Sequence, residues 1–190
     1  MSQPRSSGSL IIDLVPHMDA GDRDAWPGDQ DTRPLTEFGE RQARAQCDAL
    51  AAEPLDALYA GPALRCRQTL QPLAERLGLE ITVLPEIGEV AAWRAPAGWE
   101  AEGNRRANAA AHGAGSALAG VTRMRALHPE GRVVACSHGH VIPALVSFLI
   151  AAHGLAGVPE LGRRGQWYRL GFEGERIEIE LREVEGFPQE

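Results

Sequence analysis

Two apolar runs constrain this chain more than any other feature, because each of them stops on a histidine. The first is Leu10-Ile11-Ile12-Asp13-Leu14-Val15-Pro16-His17, and the second is Val133-Val134-Ala135-Cys136-Ser137-His138-Gly139-His140. Short apolar runs of this composition, bounded by Gly and Pro, read as buried strands. In an open α/β sheet, ligands bind in the crevice outside the carboxyl ends of the parallel strands. Two strands that end in histidine can therefore deliver two imidazoles to one site. Asp13, a carboxylate inside the first run, is unexpected in such a strand.

The rest of the chain alternates in the same way. Residues 18–34 are rich in Asp, Gly and Pro and are long enough to form a functional loop. Thr36 is placed to cap a helix through residue 52, with Phe38, Ala45, Ala49 and Leu50 available for its apolar face and Gly39 weakening it. A second strand is predicted over 56–60, and Gly61-Pro62 turns it into a helix that Pro72 should break or kink before it stops at Gly78. A third strand over 80–84 leads into an irregular segment, 85–103, that contains Trp93 and Trp99. The region 85–120 is expected to form an insertion over the site, with a helix predicted over 104–128.

A fourth strand spans 132–137 and a helix follows over 139–152. Residues 166–172 and 176–182, flanking Glu173-Gly174-Glu175, read as a hairpin. The expected architecture is α/β: after a flexible tail over 1–9, a single three-layer domain over 10–185. Its sheet is mostly parallel, flanked by helices, and ends in an antiparallel hairpin.

Charge and composition narrow the function. With 26 acidic against 19 basic residues and no basic block, the chain is not expected to bind nucleic acid. The longest apolar stretch, 141–152, is interrupted by Pro143 and Ser147 and falls short of the roughly 20 residues of a membrane span. The start carries no long apolar segment, and Cys47, Cys66 and Cys136 are odd in number without C-x-x-C spacing. A reducing cytoplasm is the expected location. Oligomeric state is left open.

A neutral, oriented imidazole can act as a nucleophile, and a phosphoryl group arriving at His17 would need cationic donors for its oxygens. Arginine meets that need with its planar fork. Arg65 and Arg67 lie within the first turn of the helix after the second strand, where backbone N–H groups also favour an anion. His138 and Gly139 could share the same phosphate. Glu86 is placed to protonate the leaving oxygen, with Glu89 as its rival. His138-x-His140 with His17 also has metal-ligand composition, but no further ligand follows, and His140 on a helix would point away from His138. Cys136 reads as a small core residue, and Trp93 and Trp99 as residues that pack a loop onto the body.

Five segments in order carry a resemblance to a known family: the strand ending at His17, Pro34-Leu35-Thr36-Glu37-Phe38-Gly39-Glu40-Arg41-Gln42-Ala43, Gly61-Pro62-Ala63-Leu64-Arg65-Cys66-Arg67-Gln68-Thr69, Leu84-Pro85-Glu86, and Ser137-His138-Gly139. Together they resemble the histidine phosphatase superfamily, also called phosphoglycerate mutase-like. The loop carrying Asp19-Ala20-Gly21-Asp22-Arg23 and Trp26-Pro27-Gly28-Asp29 looks most like the small phosphohistidine phosphatases. The resemblance implies that His17 is the phosphorylated nucleophile, Arg65 a phosphate ligand, His138 a second imidazole on the phosphoryl group and Glu86 the proton donor. The implied partner is a small phosphorylated substrate or phosphate-like anion, acted on without metal or organic cofactor. A non-catalytic member that binds a phosphorylated ligand or a protein partner is the alternative.

The departure lies at the signature itself, which in the family reads Arg-His-Gly and here reads Pro16-His17-Met18. Proline supplies neither a guanidinium nor a backbone N–H where phosphoryl charge develops. From the sequence, turnover is expected to be low unless Arg23, Arg33 or Arg67 replaces the missing arginine. On that basis Pro16→Arg should raise phosphatase activity by about ten- to a thousandfold, equivalent to roughly 1.4 to 4 kcal/mol, and adding His17→Ala should abolish the gain. Steady-state assays on several phosphomonoesters check this.

Overall fold

The first apolar run forms strand β1 (Ser9–Pro16) and the second forms β4 (Gly131–Ser137) in a computed structural model that describes residues 8–89 and 105–189. The other strands are β2 (Ala57–Ala60), β3 (Ile81–Val83), β5 (Gln166–Glu173) and β6 (Arg176–Glu183). Between them lie α1 (Glu37–Leu50), α2 (Leu64–Leu77), α3 (Arg105–Leu127) and α4 (Val141–His153). All six strands join one sheet in the order β3-β2-β4-β1-β5-β6. The first four in that order are parallel, whereas β5 pairs antiparallel with β1 and β6 antiparallel with β5. The α/β architecture and its C-terminal antiparallel pair are as expected from the sequence.

Alternation along the central strands feeds two cores, one on each face of the sheet. Ile12, Leu14, Val133 and Ala135 pack with Val121 and Met124 of α3 and Leu145 and Leu149 of α4. Val15, Val134 and Cys136 pack with Ala43 and Leu50 of α1 and Leu70 and Leu73 of α2. Helices on both faces give the three layers. Among the described residues, no helix is long and apolar enough to cross a membrane.

Two local expectations change. Pro72 does not break α2, which runs from Leu64 to Leu77 with the proline inside it. One lost intrahelical hydrogen bond is outweighed by burial of Leu70 and Leu73 against the sheet. The region 85–120 is also divided. Pro85–Ile87 is a 3-10 turn with Ile87 buried, and α3 contributes the buried Ala114, Ala117 and Val121 to the core, so this helix is a structural layer. Trp93 and Trp99 lie outside the described residues.

Asp13 finds its explanation in the sheet. It is fully buried, and Arg132 of β4 donates to it through Nε at 2.7 Å. Arg169 of β5 donates through Nε and Nη2 at 2.8 and 3.1 Å, and the Trp167 indole N–H donates at 3.0 Å. Arg132 also donates to the carbonyls of Leu50 and Glu53, closing the C-terminal end of α1. Asp13 thus ties β1 to both neighbouring strands, and through Arg132 to α1. Removing one partner of a buried ion pair leaves uncompensated charge, so Asp13→Ala should lower the unfolding free energy by about 3–5 kcal/mol. Urea denaturation followed by circular dichroism measures it.

Candidate active site

The parallel register of β1 and β4 sets Pro16 beside Ser137, and the His17 backbone N–H donates to the Ser137 carbonyl at 2.9 Å. The next residue on each strand is a histidine. Their rings stand edge to face, with centroids 5.4 Å apart and planes at 73°. The structure thus brings together the two imidazoles expected from the strand ends.

His17 has a defined tautomer. Its Nδ1 lies 2.8 Å from the Met18 carbonyl, which can only accept, so Nδ1 carries the proton and Nε2 keeps its lone pair. The Met18 side chain departs from the family's glycine without entering the site, because it is fully buried in the core between the sheet and α1 and α2. Thr69 accepts the Met18 N–H at 3.0 Å, and Gln42 accepts that of Asp19 at 3.1 Å. Asp19 in turn lies across the start of α1, where Thr36 donates to its carboxylate at 2.6 Å. Gly39, unfavourable within a helix, is required at this crossing: a Cβ there would come 1.9 Å from the Asp19 carbonyl oxygen.

Burial drives the His17 pKa down to about 3, against the opposing Met18 hydrogen bond and with help from His138, Arg65 and Arg164. The ring is therefore neutral at physiological pH.

Arg65, in the first turn of α2, is the best-anchored cation of the site. It is buried, its Nη1 donates to the Gln30 carbonyl, and its Nη2 lies 2.6 Å from Glu89 and 3.3 Å from Nδ1 of His138. Its Nε is buried without a hydrogen-bond partner. Glu89 also accepts from Arg23, so one carboxylate bridges two guanidinium groups. Burial opposes ionisation of Glu89, but the fields of His138, Arg23 and Arg65 outweigh it and hold the carboxyl below its usual range.

Glu86 makes no hydrogen bond or ion pair with either histidine, and its Oε2 is buried without a partner. Within its 3-10 turn it pairs with Arg123 of α3 at 3.1 Å, whereas Glu89, beyond Gly88, reaches Arg65. The turn lies close against the end of β2, since a Cβ on Gly61 would meet the Ile87 carbonyl at 2.9 Å. Arg33 is buried and donates to the Ala20 and Gly21 carbonyls at 2.7 and 2.8 Å, so it braces the loop. Arg67 is exposed on α2. His140 does not point away from His138: the helix begins one residue later, and the two rings lie 5.7 Å apart. Even so, no three His, Cys, Asp or Glu among the described residues are grouped to hold a metal ion.

A cleft of about 300 Å³ opens beside His17, lined by Pro16, Gly139, Leu161, Gly162, Arg163 and Arg164. Arg164 escapes sequence reasoning altogether. Its Nη1 donates to the His17 carbonyl at 2.6 Å, and its Nη2 lies 3.6 Å from Asp19. The only signal was an arginine pair between glycines, with nothing to tie it to His17.

Fold and paired histidines together define the class, and comparison with known proteins agrees. The sequence profile of the Histidine phosphatase superfamily (branch 1) matches residues 20–184, a span that begins just past His17. The chain belongs to that superfamily. It is 34% identical over 151 residues to an 8-oxo-(d)GTP phosphatase of Mycolicibacterium smegmatis, covering 78% of this chain but 39% of that protein. The chain thus spans well under half of this curated relative.

Among solved structures, it is similar to a mycobacterial glucosyl-3-phosphoglycerate phosphatase, with TM-score 0.62, 20% identity and coverage of 92% and 98% of the two chains. That phosphatase is also known in complex with VO3, a structure with TM-score 0.58, 20% identity and coverage of 93% and 98%. SixA from Nakamurella multipartitia matches with TM-score 0.62 and 21% identity over 97% and 99% of the two chains.

The low His17 pKa has a thermodynamic consequence. Unfolded, the imidazole takes up a proton near its ordinary value of 6.5; folded, it resists protonation down to about 3. Between those values the unfolded state binds more protons, so stability falls as pH falls, by about 1.4 kcal/mol per pH unit from this group. His17→Gln should therefore lose about 2.5 kcal/mol less stability than wild type between pH 7 and 4.5. Urea titrations of both proteins at each pH check the difference.

Proposed function

We propose that the protein hydrolyses a small phosphomonoester or a phosphohistidine through a covalent phosphohistidine on His17. The observation that carries this reading is the state of the His17 ring: neutral, with Nδ1 held by the Met18 carbonyl so that Nε2 keeps its lone pair, on a ring that stands 5.4 Å from that of His138 and in the field of Arg65. Nε2 forms a bond to phosphorus as the bond to the leaving oxygen breaks. Arg65 takes the developing charge on the phosphoryl oxygens, with His138 and the Gly139 backbone beside it.

The leaving oxygen needs a proton, and Glu89 fits that role in place of Glu86. In the resting site Glu89 is held ionised by its arginines. An incoming phosphate dianion takes over Arg65 and adds negative charge beside the carboxylate, and both effects raise its proton affinity. Glu89 takes up a proton from solvent as the substrate binds and gives it to the leaving oxygen as the P–O bond breaks. In the second step it accepts a proton from the water that attacks phosphorus, the N–P bond breaks and inorganic phosphate leaves.

The relatives support a phosphorylated substrate, since two of those compared above are named as phosphatases of 8-oxo-(d)GTP and glucosyl-3-phosphoglycerate, and the latter is known in complex with VO3. The three unbridged, buried cysteines support a cytoplasmic setting. Pro16 favours a second reading, in which the site binds a phosphorylated ligand without turnover.

The test is hydrolysis of p-nitrophenyl phosphate in the presence of EDTA. Activity should persist with the chelator, and His17→Ala should lower it by about a thousandfold or more. Equal activity in His17→Ala would overturn the covalent mechanism, and loss in EDTA would point to a metal. Phosphate-dependent thermal stabilisation without turnover would establish the second reading.

A further inference from the structure

We propose that Arg164, on the turn entering β5, supplies the phosphoryl-binding guanidinium that Pro16 cannot. The inference rests on the phosphatase reading above and names a residue that the signature motif does not contain. It starts from sheet geometry. β5 runs antiparallel to β1 with Leu14 beside Tyr168, so continuing the register past the end of β1 brings the residues preceding β5 against His17. Arg164 meets the nucleophile there, donating through Nη1 to the His17 carbonyl at 2.6 Å. It lines the same cleft as Pro16, His17 and Gly139, and its side chain is 36% exposed.

The other arginines considered as replacements are engaged differently. Arg33 is turned into the loop carbonyls, Arg67 is exposed on α2, and Arg23 faces Glu89. Arg164 instead comes from the β5 side of His17, while Arg65 comes from α2 near His138. A phosphoryl group on Nε2 would then have guanidinium groups from two different elements. Because Arg164 is bonded to the backbone of the nucleophile itself, its position relative to His17 is fixed locally. Arginine also offers a planar fork to phosphate, which lysine does not.

This placement revises what Pro16→Arg should do. In the wild-type background the gain should be less than about threefold, because the charge is already present, and the full effect should appear only once Arg164 is gone.

The experiment measures orthovanadate affinity by calorimetry in EDTA, together with kcat/KM on p-nitrophenyl phosphate, for wild type, Arg164→Ala, Arg65→Ala, Pro16→Arg and Pro16→Arg/Arg164→Ala. Arg164→Ala should weaken vanadate binding and lower kcat/KM by about ten- to a hundredfold, the loss of one charge-assisted contact. Adding Pro16→Arg should restore both to within about threefold of wild type. Failure of that rescue would overturn the proposal, because it would leave Arg164 only a support for the His17 carbonyl.

Vanadate affinity in Arg164→Ala within twofold of wild type, with Arg65→Ala strongly impaired, would overturn it too while leaving the phosphatase reading intact. A wild type that neither binds vanadate nor turns over would overturn both. Should Arg164→Ala fail to fold, Arg164→Lys, which keeps a donor for the His17 carbonyl but lacks the fork, carries the test. A loss of at least about fivefold in vanadate affinity is then expected, and an unchanged affinity would overturn the proposal.

Discussion

The parallel pairing of β1 with β4 is the constraint on which the site depends. It sets Pro16 beside Ser137, so that the two strands run out together and the next residue of each is a histidine. A slip of one residue would turn every side chain of β1 to the opposite face and carry His17 away from His138. Asp13 resists such a slip, because its carboxylate is held at once by Arg132 of β4 and Arg169 of β5. A buried charge cluster in the body of the sheet thus serves the geometry at its edge.

Electrostatics at that edge follow from the same arrangement. A neutral imidazole sits beside Arg65 and Arg164, and its protonation is resisted by burial and by these positive neighbours. Glu89 closes part of the charge balance by bridging Arg23 and Arg65. On the proposed mechanism a phosphate dianion takes over the guanidinium groups, and its arrival changes the proton affinity of the carboxylate it displaces. Binding and proton supply are thereby coupled through Arg65.

Much of the fold was legible in the sequence because its signals are local. Apolar runs, the Thr36 cap, the Gly78 stop and the Glu173-Gly174-Glu175 turn each act within a few residues, and the elements lie close to where they were expected. His17, His138 and Arg65 were legible for the same reason, since each sits at the end of a strand or in the first turn of a helix. What stayed hidden depends on distant pairing. Asp13 makes sense only with Arg132 and Arg169 beside it, and Pro72 only with α2 packed on the sheet. That Glu89 reaches Arg65 while Glu86 pairs with Arg123 hangs on the direction in which a 3-10 turn releases the chain. Arg164 hangs on an antiparallel register between residues about 150 apart in the chain.

The central claim is that Nε2 of His17 carries the phosphoryl group during turnover. Phosphohistidine is labile in acid and survives alkali, so the direct measurement is an alkaline quench during turnover of a phosphomonoester, followed by tandem mass spectrometry of the peptide that contains His17. With p-nitrophenyl phosphate, whose leaving group departs without needing a proton, Glu89→Gln slows mainly the attack of water and should increase the trapped fraction. A phosphate group on His17, enriched in that variant and absent in His17→Ala, is the expected result. Turnover with no phosphate on His17 in either protein, or with phosphate on another residue, would contradict the account.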